Sequence, residues 1–459
     1  MKKLFYLLFF LCPVVVPAQR NLNKLLPADY SWKYVGYGGV QGVAEYTSLA
    51  FNSSGEPCVA FQDWGNSGAV TVMKFHQGHW AFIGQTGFSS SEATFTSLAF
   101  DTSGVPYVAF QDWGYNQKAT VMKYTGGNWV IVGTAGFSSG QADYVNITFS
   151  PSNEPYIAYA DEGISDKATV KKFNGNNWVE VGIAGFSSGQ ADYISLRFNP
   201  VESLPYVAFM DYANTDKATV MKFNGTDWVN VGTAGFTPGE AEYTSLSFNS
   251  SGEAVVAYKD NFNDGKASVA RFSGNTWENL GNAAFSSSMV SYTSLAVGPS
   301  GAPYVAYKDA GNENKATVMT YNGGSWVNVG MAGFTEGPAS YTSLAFSPDG
   351  ILYIAFQDGW NNGWATAMKY DSVYVGISEL RELKLSVYPN PASDEIILET
   401  SGLAEGSHVI IEDPEGRELI VRQITQSKIE LNISSLPDGI YFVKLTSDRK
   451  IFVGKIVKQ

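Results

Sequence analysis

The chain has 459 residues, 44% of them hydrophobic, 14% aromatic and 16% charged, with 47 glycines. That balance buries a substantial core and favours short strands joined by tight turns over long salt-bridged helices. A formal charge of −13 excludes a surface that seeks nucleic-acid phosphate, and three histidines with two cysteines leave few parts for disulfides, metal centres or nucleophile chemistry.

Met1, Lys2 and Lys3 precede an apolar run from Leu4 to Val16, closed by Pro17 and Ala18. The pattern predicts a secretory signal peptide over residues 1–18. No stretch reaches the roughly 18–20 apolar residues of a membrane span, so no transmembrane segment is expected. Leu11 stands before Cys12 where a lipoprotein signal wants a small side chain, which argues against lipidation. Removing the signal leaves 28 basic against 43 acidic residues and a single thiol, so no intramolecular disulfide can form. That thiol, Cys58, sits where other copies of the repeat carry Tyr107 and Tyr156, and it reads as a packing residue.

Tryptophans at 32, 80, 129, 178, 228, 277 and 326 are separated by 48, 49, 49, 50, 49 and 49 residues within similar surroundings. Self-similarity at this period decides the architecture. One unit runs through four strand-like segments: 193–198, 205–211, 217–223 and 228–232. Asn174-Gly175, Asn224-Gly225, Gly126-Gly127 and Ser273-Gly274 lie between third and fourth segments, where a two-residue hairpin needs positive φ. Only the fourth-to-first connection, such as 184–192, is longer. The reading is an all-β, seven-bladed β-propeller of four-stranded blades over residues 19–376. The series begins with a fourth strand at Trp32 and ends with a third strand at residues 365–370. The offset predicts that the N-terminal strand closes the last blade, although the segment Tyr370 to Gly376 looks like a degraded fourth strand that could compete for that edge. The period resembles that of kelch-type propellers, without their paired glycines.

After Gly376 the repeats stop. Residues 377–384 read as a linker and residues 385–459 as a second domain. Tyr388-Pro389-Asn390-Pro391-Ala392, Asp413 to Arg417, Leu436 to Lys444 (with Gly439 and Tyr441) and Lys455 to Lys458 resemble the C-terminal (type A) sorting domain of type IX secretion cargo. That resemblance implies a small Ig-like β-sandwich, the type IX machinery of Bacteroidota as a partner, and a protein that is extracellular or attached to the outer-membrane surface. The sorting motif would comprise Pro389, Asn390, Pro391, Gly439 and Tyr441. The residues themselves agree on the fold, since alternating runs bounded by Gly, Pro and Asp make short sandwich strands.

An aspartate closes every second strand: Asp63, Asp112, Asp161, Asp211, Asp260, Asp309 and Asp358. Six residues later stand Lys118, Lys167, Lys217, Lys266 and Lys315. The plain reading is that each Asp caps its loop through backbone N–H groups with the Lys as cross-hairpin partner. The sharper one is a carboxylate ring for Ca²⁺, helped by Glu45, Asp143, Asp192 and Glu242, although one carboxylate per blade is dispersed for a hard cation. No cofactor is otherwise required. The face formed by the second-to-third and fourth-to-first loops carries Trp64, Trp113, Tyr212, Phe262, Trp360 and Trp364. Flat apolar rings beside polar loops suit sugars or a protein partner. The candidate ligand-binding residues are Trp64, Trp113, Tyr212, Trp360 and Trp364, with blades 7, 1 and 2 the favoured sector.

Catalysis has little support: His76 and His79 sit in a tight turn on the opposite face, and the best breaks in symmetry, Asp161-Glu162 and Asp211-Tyr212, are weak. The expectation is a monomeric, non-catalytic interaction module for glycan or protein, with no nucleic-acid partner. The alternatives are a carbohydrate-active enzyme with an acidic site on that face, or a structural envelope protein.

Overall fold

The computed structural model describes residues 29–36, 42–373, 386–399, 408–414, 417–423, 426, 428–447 and 450–459. The signal peptide and the linker at 377–384 lie outside them. The chain divides into two compact units, residues 1–373 and 374–459.

The described residues of the first unit form seven four-stranded antiparallel sheets. Blade 1 consists of Ala44–Phe51, Pro57–Asp63, Ala69–His76 and His79–Phe82. Blades 2 to 6 repeat it, with first strands at Ala93–Phe100, Ala142–Phe149, Ala191–Phe198, Ala241–Phe248 and Val290–Val297. Blade 7 is built from Ala339–Phe346, Leu352–Asp358 and Trp364–Val373, and its fourth strand is Asp29–Tyr34 from the N-terminal side. The N-terminal closure expected from the circular offset is present. The segment after Tyr370 does not compete for the edge, because through Val373 it prolongs the third strand. The closing strand pairs along this prolonged strand, from Asp29 opposite Val373 to Tyr34 opposite Met368.

The second strands are buried along almost their whole length, so a central strand covered on both faces reads as a near-continuous apolar run. Cys58 lies in such a strand, fully buried, and burial pushes its thiol up to about 12, as suits a packing residue.

Blades are tied to one another by two hydrogen bonds that recur around the ring. Each repeat tryptophan donates its indole N–H to a carbonyl of the preceding blade, as in Trp178 to Val132 (2.8 Å) and Trp228 to Val181 (2.7 Å); Trp32 to Val329 (2.7 Å) carries the series across the closure. The rings stack on phenylalanines, Trp228 on Phe186 at 4.2 Å and Trp32 on Phe334 at 4.3 Å. Nearer the axis, the fifth residue of each first strand accepts from the sixth backbone N–H of the next. Leu246 N donates to Ser195 Oγ at 3.0 Å, and Leu49 N to Ser343 Oγ at 3.0 Å. A buried amide or carbonyl between blades has no water to turn to, so these side chains satisfy groups that would otherwise be orphaned.

The second unit is a sandwich of a three-stranded sheet (Ser386–Tyr388, Glu395–Glu399, Lys428–Asn432) and a four-stranded one (Glu418–Gln423, His408–Glu412, Gly439–Ser447, Lys450–Lys458). Its core joins Ile396, Leu398 and Leu431 to Val409, Ile411, Val443 and Ile456. The sorting-motif residues gather around the terminal strand. Asn390 donates from Nδ2 to Lys455 O (2.7 Å) and accepts from Val457 N (2.9 Å); Gly439 pairs with Lys458 and Tyr441 with Ile456. Tyr441 itself donates to Pro437 O at 2.7 Å, fixing the turn that precedes its strand.

Candidate functional site

The aspartates that close the second strands are buried, and six of the seven cap a short turn through the amide two residues on. Asp211 accepts from Ala213 N (3.1 Å), Asn214 Nδ2 (2.8 Å) and Thr219 Oγ1 (2.8 Å). Asp63, Asp309 and Asp358 accept from the same turn in the same way. Asp161 takes Ser139 Oγ at 2.6 Å and Gly140 N at 2.8 Å, and burial raises the carboxyl of Asp112. Asp260 uses only Oδ2, toward Asn263 and Ser268. Each carboxylate is thus taken up by its own turn, and in blades 2 and 3 also by the connection that leads into the blade. The lysines face the aspartates in register, Asp211 opposite Lys217, yet the carboxylate contacts are amides, asparagines and hydroxyls rather than the ammonium groups. Among the described residues no three His, Cys, Asp or Glu side chains converge as metal ligands.

The rigid turn has a second effect, which is to fix the residues just after the aspartate. Trp64 and Trp113 are the first turn residues of blades 1 and 2, Tyr212 that of blade 4, and Trp360 stands second after Asp358 in blade 7. These four rings are between 45% and 64% exposed, and Phe262 of blade 5 is likewise open. Trp364 is half-buried and opens its strand opposite Asp358, so it belongs more to the blade than to the face. Tyr115, exposed in the turn of blade 2, is not singled out by the sequence, since its position is Asn in blades 1, 4, 5, 6 and 7. Blades 7, 1 and 2 therefore supply adjacent aromatic turns; blades 3 and 6 carry Glu162 and Ala310 there. Tyr212 donates its hydroxyl to Asp192 Oδ2 at 3.3 Å, which turns one ring toward the axis.

On the axis itself lies a feature that sequence reasoning missed. The third residues of the first strands, Tyr46, Phe95, Tyr144, Tyr193, Tyr243, Tyr292 and Tyr341, contact one another in a closed ring with centroids 4.7 to 5.2 Å apart. Each has φ between +51° and +55°, at a bulge between the second and fifth residues of the strand. A left-handed tyrosine costs about 1–3 kcal/mol and persists only where the surroundings over-determine it. The bulge turns these rings onto the axis; the recurring Tyr-Thr-Ser-Leu word was the available signal. Burial raises the tyrosine hydroxyls, that of Tyr46 up to about 12, with Glu45 adding to the effect. Glu45, Asp143, Asp192 and Glu242 precede four of the rings, and Glu242 is paired with Lys259 at 3.0 Å.

The ring bounds a central cavity of about 260 Å³. Below it the fourth residues are threonines whose hydroxyls donate to the tyrosine carbonyl of the preceding blade, as Thr244 does to Tyr193 O. Blades 3 and 4 depart from this: Val145 and Ile194 replace threonine, Asn146 replaces serine at the fifth position, and Arg197 stands at the seventh, where the other blades have Ala, Ser or Thr.

The fold defines the class: a seven-bladed β-propeller followed in the chain by a β-sandwich. Residues 386–459 match the family described as the secretion system C-terminal sorting domain, so the chain carries a type IX sorting domain and is secreted or held at the outer-membrane surface. Among solved structures it resembles the extracellular domain of a hybrid two-component system from B. thetaiotaomicron, at 11% identity and TM-score 0.50, over 94% of this chain and 59% of that one. This chain thus spans less than two thirds of that protein's length. Two further likenesses are a polysaccharide lyase (ulvan lyase; 12% identity, 75% of this chain and 96% of that one, TM-score 0.49) and an α-L-arabinanase of Penicillium chrysogenum (9%, 76% and 99%, 0.45). No curated protein matches the sequence. Among the described residues no helix is long and apolar enough to cross a membrane.

Proposed function

We propose that the propeller is a non-catalytic interaction module that binds a glycan or a protein at the envelope of a Bacteroidota cell, entering secretion through the signal peptide at residues 1–18. The observation that carries this reading is the set of open aromatic turns, Trp360, Trp64 and Trp113, presented by three adjacent blades on turns locked by buried aspartates. Rigid, flat, amphipathic rings bind at low entropic cost and stack on sugar rings or seat in a protein partner's pockets. The absence of a catalytic role is supported by Asp161 and Asp211, whose carboxylates are committed to holding the loops around them. A polysaccharide panel and a pull-down from envelope extract test it with the wild type and a Trp64→Ala/Trp360→Ala double variant, each with and without Ca²⁺. Saturable binding that falls at least tenfold in a variant of unchanged melting temperature is the expected outcome. Retained affinity in the folded variant, or release of reducing sugar abolished by changing Asp161 or Asp211, would overturn it.

A further inference from the structure

The departure of blades 3 and 4 from the repeat concentrates at one place, the lower part of the central cavity. Arg197 is the next-to-last residue of its strand and lines that cavity, at the end away from the turn face. Its Nη1 donates to Leu196 O at 2.8 Å and to Asn146 Oδ1 at 3.2 Å. Asn146 is itself the one fifth-position residue that is not serine, and it accepts from Leu196 N at 2.9 Å as the serines do, so its longer side chain holds the blade tie and the guanidinium together. Val145 and Ile194, which line the same cavity, stand where the other blades carry threonine. With both Nη1 hydrogens engaged, the Nε and Nη2 edge has no acceptor among the described residues, and no carboxylate pairs with it. Burial alone pulls the guanidinium below the usual arginine value.

An arginine held in place by its neighbours, half-buried, and unpaired in a chain of net charge −13 is a costly arrangement unless something negative sits against it. The free Nε and Nη2 hydrogens form the planar fork that takes a carboxylate by two parallel hydrogen bonds. We propose that the central cavity is a binding site for a carboxylate, clasped by the Nε/Nη2 edge of Arg197, with the hydroxyl of Ser245 and the aromatic ring of Tyr193 as further walls. The carboxylate comes either as a small free acid or as the acid group of a sugar, which a cavity of this volume accommodates. The site lies on the axis and is independent of the aromatic turns, so its fate and theirs are separable.

The test is calorimetric titration of the intact protein, at constant ionic strength, with sodium acetate, sodium glucuronate and glucose, using wild type, Arg197→Ala and Arg197→Lys. Alanine is what blades 1, 2, 6 and 7 carry at this position, so Arg197→Ala keeps a residue the ring already tolerates. The expected result is saturable binding of a carboxylate ligand, none of glucose, and a dissociation constant at least tenfold higher in Arg197→Ala. Arg197→Lys, which keeps the charge without the fork, is expected to weaken binding severalfold. Binding of both acids assigns the free carboxylate, and binding of glucuronate alone assigns the acid sugar. No saturable heat from either acid, equal binding by Arg197→Ala, or glucose binding as well as glucuronate overturns the proposal. Should Arg197→Ala fail to fold, undiminished affinity in Arg197→Lys overturns it in the same way.

Discussion

The two units reach stability by opposite routes. In the propeller, every important contact is made in series: a tryptophan ties each blade to the one before, a serine hydroxyl or asparagine amide ties each first strand to the next, and an aspartate locks each turn. Among the described residues of the sandwich, each contact is made once, and Tyr441 or Asn390 has no counterpart to share its task. Repetition spreads the cost of losing one tie, while a single small core concentrates it. The repeated design also leaves room for departures, and those that occur at Arg197 and Asn146 stand out because the other blades show what the fold alone requires.

The largest effect is expected where the series has its one covalent break. Deleting residues 29–34 removes the closing strand, the Trp32 indole tie and its stack on Phe334. The loss should exceed the roughly 3–5 kcal/mol of a buried aromatic truncation, and the exposed edge of Trp364–Val373 should drive association visible by size-exclusion chromatography. A loss no greater than that of one interior tie would mean that closure is not what holds the ring. Next comes the sandwich. Ile411→Ala, in a core with no redundancy, should cost about 2–5 kcal/mol and shift only the sandwich's denaturant transition, leaving that of the propeller in place. A shift of both transitions would break the contrast between the two units.

A single propeller tie is smaller. Trp228→Phe keeps the stack on Phe186 but leaves Val181 O without its donor, for an expected loss of about 1–2 kcal/mol in urea unfolding. The equivalent change at Trp178 should cost a similar amount, which sharpens the claim that the ties are equivalent. Smallest is a pH effect. Burial first, and the charges of Asp143 and Asp166 after it, raise the Asp192 carboxyl above its ordinary value. The folded state then holds that proton more tightly than the unfolded chain, so Asp192 detracts from stability as pH rises through the raised value. Asp192→Asn should be more stable than wild type at pH 7, and the difference should close below the ordinary aspartate range. Urea midpoints at pH 7 and pH 3 check it, and a difference independent of pH would sink the assignment.

Much of the fold could be read from spacing. The tryptophan period and the circular offset define blade number and closure, because each is a local rule with a single geometric solution. The Asn174-Gly175 and Asn224-Gly225 pairs mark hairpins but not two-residue ones: each loop holds four residues, with Phe173 opposite Trp178 and Phe223 opposite Trp228, and only the glycine takes positive φ. The exposed turns were legible for the same reason, since the residue after a capped aspartate has nowhere to go but outward. Trp364 was not separable from Trp360, because two residues of a turn and the first of a strand look alike before the register is known. The aromatic ring on the axis stayed hidden for a physical reason: a tyrosine in the third strand position alternates toward the blade interior unless a bulge intervenes, and positive φ at tyrosine has no composition signal. Arg197 stayed hidden with it, since only that bulge and the closed ring show that its neighbours are the cavity walls.

The closing strand has a consequence in time as well as in space. Trp32 meets its partner 297 residues further along the chain, and Asp29 pairs with Val373, so the first of the described strands to be made is among the last to find its place. Contacts of such sequence separation form slowly, because the loop must be closed before any of its contacts repay the lost chain entropy. A protein addressed for export thus carries its own delay: the ring stays open until the strand ending at Val373 has emerged, and the latch is a segment synthesised before any of the blades it locks.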